Sequence, residues 1–247
     1  EYVRRYAMEC GVDVLCMDYY PMMTPTADGR DGYCRNLAVM RKYAMEAKIP
    51  WWNFFNNMPF GPHHDPTEAQ IRWQIYSSLA YGAKGVLYFC YWPFEAPGGE
   101  FPKGGAILNG LGERTRHYEQ AKRINGVLKN LGPTLMKLTS SRVIRIKPDD
   151  DPAEKLEGTP IRNMSKGGDY LIGVFKHRDG RQAVLINNYD HNYTTWPTVE
   201  FAVPDKEVIE VDGADGKEKP ARDDSPLGIP GLQISLDAGE GRLFLLP

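Results

Sequence analysis

Three stretches carry side chains able to do chemistry: Asp18-Tyr19-Tyr20-Pro21, Asn53 to Asn57, and Trp92-Pro93-Phe94-Glu95. Each closes or follows an apolar run. A carboxylate such as Asp18 at a strand end can face a pocket and accept hydrogen bonds from hydroxyls, or can be tied to neighbouring backbone or an Arg. Glu95, three residues past Trp92 in a Gly/Pro-rich segment, supplies a second carboxylate or is solvated. These two are the candidate catalytic groups. Asn53 and Asn56 each offer a donor and an acceptor, which suits a polyhydroxylated ligand. Asn53 can equally satisfy buried backbone groups. Tyr20 and Trp92 present aromatic faces, which pack against the C–H faces of sugars as readily as they build cores. His63-His64-Asp65 has the residue types of a metal or acid/base cluster. Adjacent loop histidines are commonly solvated, however, and Asp65 has a use as a helix cap. His64 therefore remains as a substrate contact, and neither metal nor cofactor is expected.

The elements that must position these groups follow from periodicity. Residues 1–9 have helical spacing and Gly11 stops them. Val12–Met17 is an apolar run ending at Asp18, as in a buried parallel strand. A helix over 33–47 leads to a second strand, Trp51–Phe55. Asp65-Pro66-Thr67-Glu68 predicts a helix start with Asp65 as cap, Pro66 in the first position and Glu68 in the third. That helix stops near Gly82. Gly85–Trp92 forms a third strand, and a last helix over about 115–131 ends at Gly132-Pro133. Long loops follow the strand ends, where barrels and open α/β sheets carry function.

From about residue 140 the pattern alternates with period two. Asp169–Phe175 and Gln182–Asn188 flank His177-Arg178-Asp179-Gly180-Arg181, a hairpin signal, and further short strands follow at 198–203, 208–211, 232–236 and 242–246. This predicts an antiparallel β-sandwich over 140–247 after an α/β part over 1–139. Lys147–Gly158 is expected to be a polar surface loop.

Composition excludes some partners. A formal charge of −2 over 247 residues requires neither a nucleic-acid backbone nor an anionic membrane, and no apolar run is long enough to span a bilayer. The 14 Tyr, 9 Phe and 5 Trp are concentrated in the α/β part and favour an aromatic cleft. The four cysteines lack metal-site spacing; Cys16 and Cys90 lie in apolar runs and are expected to be buried thiols. Asn163-Met-Ser and Asn192-Tyr-Thr match the glycosylation pattern, a weak signal.

The run from Arg72 to Trp92, RWQIYSSLAYGAKGVLYFCYW, resembles the last helix–strand step of clan A glycoside hydrolase barrels, nearest to family 42 β-galactosidases and their relatives. Asp18-Tyr19-Tyr20-Pro21 is similar to the end of the sixth strand there, Pro50–Phe55 to the seventh, and the C-terminal part to the accessory β-domain. The resemblance implies the C-terminal portion of a TIM (β/α)8 barrel, with strands six to eight, followed by a β-sandwich. It implies O-glycosyl hydrolysis of a carbohydrate, with Trp92 as the floor under the sugar and Tyr20 as the tyrosine that bonds the nucleophile. The family's nucleophile Glu would end the seventh strand, where this chain has Phe54, Phe55, Asn56 and Asn57. The acid/base would lie on a fourth strand outside the chain. The chain is accordingly expected to be a fragment, inactive alone, needing its missing barrel half or a homo-oligomeric partner. A targeting segment upstream, for a secreted or periplasmic protein, is compatible with this. A non-catalytic carbohydrate-binding barrel is the alternative. A phosphate-handling α/β enzyme is weaker, since no Gly-rich phosphate loop lies between a strand and a helix.

Overall fold

A computed structural model describes residues 1–23, 27–93, 105–225 and 227–247. The chain is mixed α/β and divides into two units, Glu1–Ile124 and Asn125–Pro247.

The first unit alternates α1 (Tyr2–Glu9), β1 (Leu15–Asp18), α2 (Arg30–Ala47), β2 (Trp51–Asn56), α3 (Glu68–Ala80) and β3 (Gly85–Phe89), and contains the start of α4 (Arg116–Leu135). The strands form one parallel sheet in the order β1-β2-β3, with Asp18 level with Phe54 and Asn56 level with Phe89. Parallel order requires a crossover between successive strands, and α2 and α3 supply them. Strand alternation then divides the side chains: Trp51, Asn53 and Phe55 are buried, whereas Trp52 is exposed. Asn53 bonds to Tyr33 of α2 and Ser78 of α3, so the buried face is the one under the helices.

The opposite face corrects an expectation. Cys16 is exposed and Cys90 half-buried, although both lie in apolar runs. Leu15 takes the packed side of β1, which puts Cys16 on the other, while Cys90 falls just past the end of β3. The run predicted burial on both faces; among the described residues only one face of β1 is covered.

The start of α3 is also corrected. Its cap is Thr67, whose hydroxyl accepts from Gln70 N while the Gln70 side chain accepts from Thr67 N, a reciprocal capping box. Asp65 instead receives Arg116 at 2.7 Å and His117 Nε2 at 2.7 Å. The pairing holds the start of α4 to the loop before α3. Replacing Thr67 with Ala is expected to lower the stability of this unit by about 1 kcal/mol, measurable by urea unfolding. An unchanged midpoint would remove the cap from the account. Gly132-Pro133 does not end α4, which runs on to Leu135. A proline forfeits one donor, and the turn beyond it closes through Met136 N to Gly132 O at 2.9 Å.

The second unit holds a six-stranded sheet, ordered β10-β9-β12-β7-β6-β4, and a three-stranded sheet, β11-β8-β5. Here β4 is Leu138–Ile146, β5 Ile161–Met164, β6 Tyr170–His177, β7 Gln182–Asn188, β8 Thr198–Phe201, β9 Ile209–Val211, β10 Glu218–Pro220, β11 Leu232–Gln233 and β12 Gly241–Leu246. The hairpin between β6 and β7 is present, closed by Gly180 at φ 100°. Both sheets contribute to one apolar core, including Ile172, Val184 and Phe244 from the larger and Val199, Phe201 and Leu232 from the smaller. The segment 147–158 is not simply a polar loop. Asp151 caps a short helix, α5 (Pro152–Lys155), and Leu156 is buried in that core.

Candidate functional site

The ends of β1, β2 and β3 meet at one edge of the parallel sheet, because all three strands point the same way. Polar side chains hold the chain where ladder hydrogen bonding stops. Met22 N donates to Asn56 Oδ1 at 3.5 Å, joining the first tip to the second. Asn57 donates from its backbone N to Phe89 O and from its amide to Cys90 O, both at 3.1 Å, joining the second to the third. Gln74 of α3 donates to Asn56 O at 3.0 Å. The run Asn56-Asn57 thus satisfies one N–H, that of Met22, and two carbonyls, those of Phe89 and Cys90, where the ladder ends.

Tyr20 lies at the centre of an aromatic group. Its ring packs against Phe60, Phe89 and His63 at centroid separations of 5.0, 5.2 and 5.7 Å, and Phe60 contacts both Phe89 and His63. The Tyr20 hydroxyl donates to Asp18 Oδ2 at 3.4 Å. Burial, followed by the negative charge of Asp18, pushes the phenol well above its ordinary value, so it stays a donor. The carboxylate of Asp18 is exposed. This is a half-buried aromatic wall with a solvated anion at its lip. Such a surface can stack on the apolar face of a ring and accept a hydroxyl hydrogen.

His63 reaches the wall through a tight turn, Phe60-Gly61-Pro62-His63, in which Gly61 has φ 48° and His63 N donates to Phe60 O at 2.9 Å. Burial lowers its ring below the ordinary imidazole value; the backbone bond at Met22 partly opposes this. The folded state therefore holds the proton less firmly than the unfolded chain does. Stability from the neutral ring is complete above about pH 6.5 and declines as the pH falls through the folded value. An NMR titration is expected to put the His63 midpoint below 6.5. A midpoint at or above it would show that the ring is not desolvated.

The candidates from sequence occupy different surroundings. Asp18 and Tyr20 are together at the rim. Trp92, 53% exposed, follows Cys90, whose thiol donates to Trp92 O at 3.3 Å. Asn56 is fully buried between two tips. Asn53 is fully buried under the helices, its amide donating to Tyr33 Oη at 2.6 Å and Ser78 Oγ at 3.0 Å. His64 is clamped between Met23 O and Gln70 Oε1. Glu95 lies outside the described residues. Phe60, Phe89 and His63 were not selected from sequence. The Gly-Pro turn was the available signal, because it decides which of two adjacent histidines faces the wall. Among the described residues, no group of three His, Cys, Asp or Glu is placed to hold a metal ion, and no helix is long and apolar enough to cross a membrane.

No family model matches the chain, and no curated protein matches it. Similar solved structures are glycoside hydrolases. One is a family 39 glycoside hydrolase from the gut symbiont Bacteroides cellulosilyticus WH2, at 11% identity and TM-score 0.41, covering 85% of this chain and 38% of that one. A glucosidase from Croceicoccus marinus shares 13% identity at TM-score 0.35, covering 100% and 56%. A GH27 β-L-arabinopyranosidase from Geobacillus stearothermophilus shares 12% identity at TM-score 0.29, covering 99% and 59%. The chain spans less than two thirds of the length of each.

Proposed function

We propose that this chain is the C-terminal portion of a carbohydrate-cleaving (β/α) barrel, residues 1–139, followed by a β-sandwich, residues 140–247, and that the parent protein hydrolyses O-glycosides. The observation that carries the reading is the convergence of three parallel strand ends on the wall of Tyr20, Phe60, Phe89 and His63 beside Asp18. The sequence likeness over Arg72–Trp92 supports it independently.

In this reading the wall stacks on a pyranose ring, Asp18 orients a hydroxyl, and Trp92 extends the surface. Asp18 and Glu95 are the carboxylates that this chain offers to a two-carboxylate hydrolysis. Asn56 and His64 act at the rim by fixing the backbone beneath the sugar. Further βα units, or a second copy of the chain, cover the exposed face of β1–β3 and extend its free edges, since parallel sheets are ordinarily covered on both faces. Half of such a site cannot align both groups, and misalignment by an ångström is costly.

Nitrophenyl glycosides test this directly. The 247-residue chain alone is expected to show no turnover. The full-length parent is expected to hydrolyse at least one of them, with Asp18→Asn reducing kcat/KM at least tenfold, about 1.4 kcal/mol of transition-state stabilisation. Tyr20→Ala is expected to weaken sugar binding about tenfold, a similar free energy. Turnover by the chain alone, or an unaffected Asp18→Asn enzyme, would overturn the assignment. Sugar binding by a parent without turnover would favour the second reading, a non-catalytic carbohydrate-binding barrel. The amides Asn56 and Asn57 at the end of β2, sealed from solvent where a nucleophile would stand, favour that alternative.

A further inference from the structure

The second unit contains seven Phe, Tyr and Trp residues, divided sharply by exposure. Tyr170, Phe175, Tyr189, Phe201 and Phe244 are at most 3% exposed, whereas Tyr193 and Trp196 are 74% and 59% exposed. Both exposed rings belong to the single connection between β7 and β8. One isolated surface aromatic needs no explanation. Two in one loop, with every other Phe and Tyr of the unit buried, are a patterned exception.

The loop is held firmly. The Asn188 amide, 1% exposed, donates to Tyr193 O at 2.8 Å and to Asp237 O at 3.1 Å. Thr195 and Leu236 exchange both backbone hydrogen bonds at 2.9 Å, and Tyr170 Oη lies 3.0 Å from Thr195 Oγ1. Ile234 N donates to Pro197 O at 2.9 Å, and Gly239 N to Asp190 O at 2.9 Å. Beneath it the Tyr189 ring stacks on the Arg145 guanidinium at 3.6 Å. The backbone carrying both rings is thus ordered before any ligand arrives, which removes much of the entropic cost of binding. Tyr and Trp add little more, having only two side-chain torsions each.

We propose that the loop 190–197 is a carbohydrate-binding platform on the β-unit, separate from the strand-tip rim, taking a neutral polysaccharide chain. Ring faces stack on the C–H faces of successive sugars. The interleaved Asp190, Asn192 and Thr194, with Asp237 beside Thr194, meet the hydroxyls. This alternation of ring and polar group matches a glycan better than a protein partner, whose interface core is depleted of charged residues. The platform would hold the chain on a polymer and does no chemistry itself.

Affinity electrophoresis through gels containing arabinoxylan, β-1,4-galactan, mixed-linkage β-glucan or starch tests this. At least one polysaccharide is expected to retard the wild-type chain. The double variant Tyr193→Ala/Trp196→Ala is expected to bind at least tenfold more weakly with an unchanged circular dichroism melt, since both rings are mostly exposed. Trp196→Gln alone serves as a second variant should the double one lose its fold. In the full-length parent the same double variant is expected to leave nitrophenyl glycoside turnover unchanged, which separates failure of the platform from failure of the rim. Absence of retardation by all four polymers, undiminished retardation of the variants, or a wild-type oligomer dissociated by the substitutions would overturn the proposal.

Discussion

Phe244→Ala is expected to destabilise the β-unit by about 3–5 kcal/mol, a large share of a typical stability of about 5–15 kcal/mol. The physical reason is position. Phe244 is fully buried on β12, which is hydrogen-bonded on both sides, to β7 through Val184 and to β9 through Glu210. Its ring meets Phe201 of the smaller sheet at a centroid distance of 5.5 Å. Truncation removes this ring–ring contact between the sheets and leaves a cavity in their shared core. Arg242, two residues earlier on β12, keeps its bonds to Glu210 and Asp224 but loses the Phe244 ring, whose centroid lies 5.7 Å from its guanidinium. The lost stability combines the buried packing with this cation–ring contact. Urea unfolding followed by far-ultraviolet circular dichroism measures it, and a loss under about 1 kcal/mol, the range of a surface change, would mean that the two sheets do not share this core.

The second large effect is expected at Asn53. Its amide serves Tyr33 Oη and Ser78 Oγ, and Tyr33 also donates to Gln74 O at 2.8 Å. These groups join β2 to α2 and α3 in an interior where unpaired polar atoms are costly. Asn53→Ala removes two hydrogen bonds and opens a small void, costing about 2–4 kcal/mol. Because Gln74 also holds Asn56 O, the disturbance should reach the strand tip and weaken sugar binding indirectly. Tyr20→Ala provides the contrast: a half-buried rim ring whose loss should affect binding more than stability. Thermal melts and sugar titrations on both variants separate the roles. An Asn53→Ala protein that keeps its melting temperature but loses binding would make Asn53 a ligand contact rather than a strut.

Much of this arrangement is legible in the sequence. Period 3.6 over residues 33–47, apolar runs at 12–17 and 51–55, and period two around the Asp179-Gly180 turn identify α2, β1, β2 and the β6–β7 hairpin. Those features depend on residues a few positions apart, and local backbone preference is enough to write them. Asp18 and Tyr20 at a strand end follow from the same register. Partner choice is different. Asp65 looks like a helix cap in its own segment, yet the preferred partners, Arg116 and His117, arrive from fifty residues away. Cys16 looks buried in an apolar run, but only the sheet decides which side of β1 is covered. Nothing in His63-His64 says which ring joins Tyr20 and which is clamped by Gln70; the turn at Gly61-Pro62 decides that in three dimensions. Asn53 and Asn56 are similar amides three residues apart, and the pleat sends one under the helices while the other bridges two strand ends. By itself the sequence determined the order and kind of elements, because short-range propensity and periodicity are properties of neighbours. Tertiary structure alone decided which side chains are spent on the scaffold and which face solvent, because hydrogen-bond partners and burial are properties of what the chain brings together from afar.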